Sequence, residues 1–70
     1  MAIITFLLTI TIWNYDTGDK LWELTQTVKV HNIKECYKEG VDYILPIING
    51  IRTYIPNASA NVSCRPQGSP

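Results

Sequence analysis

The chain has 70 residues, of which 46% are hydrophobic, and its six basic and six acidic side chains cancel to a formal net charge of zero. This length makes a single domain with a marginal core, because so short a chain buries only about 60% of the surface that it exposes when unfolded. The balanced charge argues against a nucleic-acid-binding protein and against a protein held on a membrane by a polybasic patch. The hydrophobic content argues against disorder.

The apolar segment at the start of the chain is predicted to be a β-strand. Residues 1–13 carry no charge, but they are fewer than the roughly 20 residues that a membrane helix needs. No basic segment or cleavage site indicates a signal peptide, so we expect neither a signal peptide nor a transmembrane segment. The side chains alternate with a period of two. One face carries Ile4, Phe6, Leu8, Ile10 and Ile12, and the other carries Thr5, Leu7, Thr9, Thr11 and Trp13.

The next segment repeats this alternation, so the two segments are predicted to form a β-hairpin. Its apolar face holds Trp22, Leu24, Val28 and Val30, together with Gln26. A three-residue loop of Asp16, Thr17 and Gly18, with Gly18 in the left-handed region, keeps the two apolar faces together. This register pairs Ile4 with Val30, Phe6 with Val28, Ile10 with Leu24, Ile12 with Trp22 and Trp13 with Leu21.

An amphipathic helix is predicted to follow the hairpin. Asn32 is a favourable N-cap residue, and Glu35 stands three residues later, at the capping-box position. Because proline lacks a backbone N–H, we expect a kink or a break at Pro46, and a further turn that ends at Gly50. The apolar side chains that recur at helical spacing are Ile33, Cys36, Tyr37, Gly40, Val41, Ile44, Ile47 and Ile48.

A third, short strand is predicted near the end of the chain. Residues 51–58 are typical of an extended loop, and Ala60, Val62 and Cys64 then alternate with polar side chains. The predicted fold is α+β, of order β-β-α-β, with one helix packed on one face of a three-stranded, mostly antiparallel sheet. Residues 1–66 form this domain and residues 67–70 a C-terminal coil. A right-handed crossover makes the third strand parallel to the second, either beside it or, as we prefer, beyond the first.

The two cysteines allow two interpretations. Cys36 is predicted to point from the helix towards the sheet, and Cys64 from the third strand towards the helix. A disulfide between them would close a loop of about 29 residues and contribute about 3–4 kcal/mol to stability, but it requires an oxidising compartment. Alternatively, both are buried thiols that pack as small apolar side chains, which fits the missing signal peptide.

Two segments resemble known proteins: CYKEGVDYILP in the helix and YIPNASANVSCRP at the third strand. The chain resembles small uncharacterised bacteriophage and bacterial β-β-α-β proteins with one cysteine in the helix and one in a last strand of the pattern YPNA-x-V-x-C-x-P. Here Ile55 separates Tyr54 from Pro56, which departs from that pattern. The resemblance covers about the last half of the chain. It implies the fold, a phage or bacterial source and a location in a host cytoplasm or a virion, and it implies no activity.

No pattern in the sequence indicates catalysis. His31 is the only histidine, and neither it nor the cysteines have the spacing of a metal site. The glycines are scattered, so no phosphate-binding loop is expected. We therefore expect a protein that is not an enzyme and has no catalytic residue, cofactor or metal ligand, because one helix on three strands leaves little room for a pocket.

The sheet face without a helix is the predicted interaction surface. Leu7, Trp13 and Leu21 lie on this face, with Tyr15 nearby, among threonine, serine and charged side chains. An apolar patch with a polar rim is typical of a protein interface, and tryptophan is a frequent anchor residue. The alternative is a corner shielded by the C-terminal tail or by the 51–58 loop.

Two functional hypotheses follow. In the first, the chain binds a protein partner or a second copy of itself through the uncovered sheet face and a strand edge, with no nucleic acid and no membrane insertion. The resemblance would make such a protein a virion accessory subunit or an inhibitor of a host protein. In the second, the chain is a disulfide-stabilised secreted or periplasmic structural module.

Overall fold

Three strands and one helix form the protein in a computed structural model, which describes residues 3–67. The elements are β1 (Ile4–Asn14), β2 (Lys20–Val30), α1 (Ile33–Arg52) and β3 (Ala58–Pro66). The sheet order is β2-β1-β3, and β1 is antiparallel to both neighbours. The predicted α+β class, element order and central first strand are therefore confirmed. Of the predicted C-terminal coil, residues 68–70 lie outside the described residues.

The hairpin register is as predicted over most of its length. Ile4 lies opposite Val30 and Ile12 lies opposite Trp22. After Ile12 the register shifts by one residue, so that Trp13 lies opposite Lys20. The predicted pairing of Trp13 with Leu21 is therefore wrong, because an extra residue of β2 forms a β-bulge at this point.

The hairpin loop is longer than the predicted three residues. The backbone N–H of Asn14 donates to the carbonyl oxygen of Asp19 at 2.8 Å, which leaves residues 15–18 in the loop. Gly18 has a φ of 77° and so takes the predicted left-handed conformation, which suits a residue without a Cβ atom. The longer loop shifts the pairing by one residue next to the turn, and the bulge in β2 restores the predicted pairing from Ile12 back to Ile4.

The start of α1 is capped by Asn32, as predicted. Its Oδ1 accepts a hydrogen bond from the backbone N–H of Glu35 at 3.0 Å. The Glu35 carboxylate accepts from the backbone N–H of His31 at 2.8 Å, one residue before the N–H that a capping box uses. This backbone hydrogen bond holds the pKa of Glu35 below its ordinary value.

Proline does not break the helix. α1 continues through Pro46 to Arg52, so the predicted end at Gly50 is wrong and the connection to β3 shortens to residues 53–57. Pro46 and Asp42 are both exposed. Water can therefore solvate the Asp42 carbonyl, which lacks its usual N–H partner four residues later.

The core lies between α1 and one face of the sheet. It consists of Phe6, Leu8, Ile10, Ile12, Val30, Cys36, Ile44, Ile48, Ala58 and Cys64. The helix packs mainly against β3 and β1 and least against β2. The helix lies close to the sheet at Gly40, where an added Cβ atom would lie 2.5 Å from Cγ1 of Val62. Glycine is the side chain that allows this contact.

A disulfide joins the helix to the third strand. Cys36 and Cys64 are bonded, with their Cα atoms 6.3 Å apart, and both residues are buried. Of the two interpretations of the cysteines, the structure therefore has the disulfide. No helix within residues 3–67 combines the length and the apolar composition needed to cross a bilayer.

Candidate interaction surface

One face of the sheet carries no helix. Its β1 residues are half-buried, namely Thr5, Leu7, Thr9, Thr11 and Trp13. The neighbouring side chains are mostly polar or charged: Glu23, Thr25, Thr27 and Lys29 in β2, and Ser59, Asn61, Ser63 and Arg65 in β3. Within the described part of the chain, no helix or strand packs on this face. We call it the open face.

An aromatic patch lies where the open face meets the hairpin turn. Trp13 is half-buried between Lys20 and Ser59 on the neighbouring strands. Tyr15 follows it in the turn and is 72% exposed, and Leu21, at the bulge, is 38% exposed. The structure therefore brings three of the four predicted site residues to one end of the sheet. We call Trp13, Tyr15 and Leu21 the hairpin patch.

Leu7, the fourth predicted residue, is not part of this patch. It lies six residues before Trp13 on the same strand, which corresponds to about 20 Å of extended chain. Its neighbours across the sheet are Thr27 and Arg65. Leu7 is therefore an isolated apolar side chain on a polar surface.

The hairpin turn is tied to the connection between α1 and β3. The backbone N–H of Tyr15 donates to the carbonyl oxygen of Asn57 at 3.0 Å. The Asn57 amide donates in turn to the carboxylate of Asp16. These bonds restrain the backbone beside Trp13 and leave the Tyr15 side chain exposed.

The C-terminal tail lies at the opposite end of the sheet from the hairpin patch. The backbone N–H of Gln67 donates to the carbonyl oxygen of Thr5 at 2.8 Å, and its side chain accepts from the Thr27 hydroxyl at 3.5 Å. As far as Gln67, therefore, the tail does not shield Trp13. The 53–57 connection remains the only described segment beside the patch.

Hydrogen bonds between side chains order the centre of the open face. The hydroxyls of Thr9 and Thr25 lie 3.4 Å apart, and Thr11 donates to the Glu23 carboxylate at 3.4 Å. The same carboxylate forms an ion pair with Lys20 at 3.2 Å, with both side chains exposed. Exposed pairs of this kind contribute only about 0–1 kcal/mol. This part of the surface can therefore exchange its partners at little cost.

The two outer strands present alternate sets of backbone groups to solvent. In an antiparallel strand, the N–H and C=O of one residue point to the same neighbour. The N–H of Asn14 points to β2, where it meets Asp19, whereas the C=O of Thr5 points to β3, where it meets Gln67. Even-numbered residues of β1 therefore bond β2 and odd-numbered residues bond β3. By the observed registers, odd-numbered residues of β2 and even-numbered residues of β3 direct their backbone groups outward.

The sequence missed a second exposed apolar surface on α1. Ile33, Tyr37, Val41 and Leu45 follow one another at four-residue intervals along one flank and are 40–49% exposed. The first three were predicted to lie on the apolar side of the helix, and the structure leaves them exposed. At 100° per residue, the buried stripe of Cys36, Gly40, Ile44 and Ile48 occupies the centre of the packed side, and this flank lies to one side of it.

An open depression lies at the junction of β2 and α1, away from the hairpin patch. It is lined by Lys29, Val30, His31, Glu35, Lys38 and Glu39. Nδ1 of His31 lies 3.2 Å from the Glu35 carboxylate, which also caps the helix. His31 and Glu35 therefore bond each other. Within residues 3–67, no three side chains of the His, Cys, Asp or Glu type are placed to hold a metal ion.

Comparison of the chain with protein-family models, with curated protein sequences and with solved structures gave no match. The resemblance to small bacteriophage and bacterial proteins therefore stays a prediction.

Proposed function

We propose that the chain is a small non-enzymatic protein that binds another protein through its open face and a strand edge. The observation that carries this proposal is the hairpin patch on a sheet face that no described element covers. Trp13, Tyr15 and Leu21 offer a large apolar area beside polar and charged neighbours. An anchor of this composition with a polar rim is typical of protein interfaces.

The shape of the surface supports a macromolecular partner. The protein has two layers, with Cα extents of 42 × 21 × 14 Å. Small-molecule sites are usually concave and bury most of their ligand. A broad sheet face with a restrained aromatic end is better suited to a protein surface. The predicted phage source would make the partner a virion component or a host protein.

Single substitutions in the hairpin patch test this proposal. Trp13→Glu and Leu21→Glu each place a charge on the patch, and Tyr43→Glu makes the same change at a 44% exposed position on α1. Each tagged full-length variant is used to recover bound proteins from cells of the source organism. We expect the wild type and Tyr43→Glu to retain the same specific partner and the patch variants to lose it. Equal recovery by all four proteins would overturn the proposal.

A loss of folding must be separated from a loss of contact. The circular dichroism spectrum and the non-reducing mass of each variant report the fold and the disulfide. Only a variant that keeps both counts as a test of the patch.

The disulfide supports a second candidate function, a secreted or periplasmic structural module. Buried disulfides persist mainly in oxidising compartments, and the bond between Cys36 and Cys64 holds the helix on the third strand. The mass of the protein recovered from its source under non-reducing conditions tests this. A mass lower by the two thiol hydrogens, in an extracytoplasmic fraction, would favour the module. A reduced chain in the cytoplasm would exclude it.

A further inference from the structure

We propose that β2 pairs with β2 of a second copy of the chain, antiparallel and across a two-fold axis at Gln26, to form a continuous six-stranded sheet. This inference rests on the proposed function, since it names one strand edge and its partner. The free backbone groups of β2 and the side chains that one register brings together support it.

The edge of β2 has the backbone groups that such pairing needs. The N–H and C=O groups of Glu23, Thr25, Thr27 and Lys29 point outward, as the ladder with β1 requires. Among residues 3–67, no hydrogen bond to these backbone groups comes from a loop or a side chain. β2 is 11 residues long and contains no proline. A long, unprotected edge of this kind is a template for another strand.

A two-fold axis at Gln26 matches the backbone groups of the two copies. In this register the numbers of facing residues add up to twice 26, which is even, so odd-numbered residues face odd-numbered residues. Glu23 then faces Lys29 of the second copy, and Thr25 faces Thr27, with their outward N–H and C=O groups directed at each other. Gln26 faces its own copy at the axis.

The charges are complementary in this register. Glu23 lies opposite Lys29 of the second copy, and the symmetry repeats the pair, so each dimer gains two cross-strand ion pairs. Lys29 forms no ion pair with another described residue, and Glu23 pairs only with the exposed Lys20. The charges that would otherwise protect the edge from pairing therefore attract each other.

The apolar side chains are also complementary. The helix packs least against β2, which leaves Trp22, Leu24 and Val28 half-buried and Gln26 exposed on the helix side of the sheet. The same register places Leu24 opposite Val28 of the second copy, and Trp22 opposite Val30. These are non-hydrogen-bonded pairs, in which side chains approach most closely. Gln26 is the one polar residue on this face of β2, and at the axis its amide can bond its symmetry mate.

The neighbouring register is less favourable. With the axis at Thr25, Lys29 would face Leu21 of the second copy and Glu23 would face Thr27. Both ion pairs would be lost and a charge would lie against an apolar side chain. An axis at Thr27 would also lose both ion pairs, because Lys29 would face Thr25 and Glu23 would face His31 of the second copy. The ion pairs thus favour the axis at Gln26 over both neighbouring axes.

Charge reversal at the two paired positions tests the register. The full-length, oxidised chain is studied by sedimentation velocity from micromolar concentrations to about 1 mM, the range of weak association. We expect a wild-type mass that rises from 7.9 kDa towards twice this value. Glu23→Lys and Lys29→Glu each create two like-charge pairs per dimer, and each should raise the dimer dissociation constant about tenfold.

Mixing the two variants separates this register from general electrostatic attraction. In a heterodimer of Glu23→Lys with Lys29→Glu, both cross-strand pairs again have opposite signs, so the equimolar mixture should recover wild-type association. Lys34→Glu carries the same change in net charge as Lys29→Glu but lies on α1 and keeps the wild-type β2 edge, so it still dimerises with itself. Each mixture is therefore followed through a label on Glu23→Lys. Labelled Glu23→Lys should associate less with Lys34→Glu than with Lys29→Glu, because one like-charge pair remains in that heterodimer.

A wild-type chain that is monomeric at about 1 mM, or equal association of labelled Glu23→Lys with Lys29→Glu and with Lys34→Glu, would overturn the inference. Folding of each variant is checked by its circular dichroism and non-reducing mass. Partner recovery that depends on Trp13 is measured separately. If it persists while the dimer is absent, only this inference fails; if it is absent while the dimer forms, only binding of another protein through the hairpin patch fails.

Discussion

The two edges of the sheet differ in how their free backbone groups are treated. At β3, the outward carbonyl of Ala58 accepts a hydrogen bond from Nε of Arg52 at 3.0 Å, and Pro66 has no N–H to offer. The disulfide at Cys64 and the contact of Gly40 with Val62 hold the helix on this strand. β2 has none of these restraints. A small sheet has two edges to protect, and here the protection is concentrated on one of them.

This difference indicates a division of roles within the sheet. β3 and α1 form the stable unit with β1, whereas β2 is anchored mainly by its ladder to β1 and presents the longer unprotected edge. On the proposed pairing, the edge that takes part in recognition lies on the other side of β1 from the strand that the helix and the disulfide hold. Breaking the restraints on β3 should affect folding and leave the properties of the β2 edge largely unchanged.

The largest expected effect comes from removing the disulfide. The double variant Cys36→Ala, Cys64→Ala should lose about 3–4 kcal/mol of the free energy of unfolding, because its unfolded chain is no longer restricted by the closed loop. Urea unfolding of the wild type and of the variant, with and without reductant, measures this. The reductant should act on the wild type alone, and equal midpoints for all four samples would contradict the account.

The contact at Gly40 should have the next largest effect. In Gly40→Ala, the new Cβ would lie 2.5 Å from Cγ1 of Val62 and 2.9 Å from Cδ1 of Leu8. Overpacking of this kind costs about 1–3 kcal/mol. The matched control is Gly50→Ala, in the same helix with no atom within 4 Å of the new Cβ. The control should gain about 0.5–1 kcal/mol from its better helix propensity.

Opposite changes in the unfolding midpoint are therefore expected for the two glycine variants. If Gly40→Ala were as stable as Gly50→Ala, this result would contradict the close contact between α1 and β3 at Gly40.

The cap on the β3 edge should have a smaller effect. Arg52→Ala leaves the carbonyl of Ala58 without its side-chain donor, which should lower the free energy of unfolding by about 1 kcal/mol. Lys34→Ala removes another cation from an exposed position of α1 and should change stability by less than about 0.5 kcal/mol. Thermal unfolding of the two variants compares them. An equal loss in both would show that the Ala58 carbonyl does not depend on Arg52.

The smallest effect concerns pH, at the junction of β2 and α1. The pKa of Glu35 is lowered in the folded protein, chiefly by the hydrogen bond from the His31 backbone N–H. Its contribution to stability is therefore complete above the ordinary glutamate pKa of about 4.3 and is lost as the pH falls through the lower folded value. Glu35→Gln should remove this part of the acid dependence, whereas Glu39→Gln, on the same helix, should retain it. Unfolding midpoints measured from pH 7 downward test both, and identical acid profiles for the two variants would contradict the assignment.

Much of the fold could be predicted from the sequence because its signals are local and consistent. Strict alternation in β1 and β2 determined the hairpin register from Ile4 to Ile12. Asn32 marked the start of the helix. The cysteines lay on facing elements, although the choice between a bond and two thiols depends on a distance that no sequence pattern contains.

The errors arise where three-dimensional context decides. The bulge that separates Trp13 from Leu21 depends on how the loop closes, and loops of three and four residues suit the same sequence. Pro46 is tolerated because its side of the helix faces water. Tyr37 and Val41 are exposed because the helix is wider than its contact with the sheet. The predicted strand order already made β2 an edge strand, but which of the two edges is left unprotected depends on which strand the helix covers.

Amide hydrogen exchange, followed by NMR at dilute and at high protein concentration, tests the contrast between the two edges most directly. In the dilute protein, the outward amides of Glu23, Thr25, Thr27 and Lys29 should exchange quickly, and the inward amides of Leu24 and Val28 slowly. At high concentration the four outward amides of β2 should become protected, while the outward amide of Ala60 in β3 should not change. Exchange of the β2 amides that is independent of concentration, or equal protection of both edges, would contradict the account.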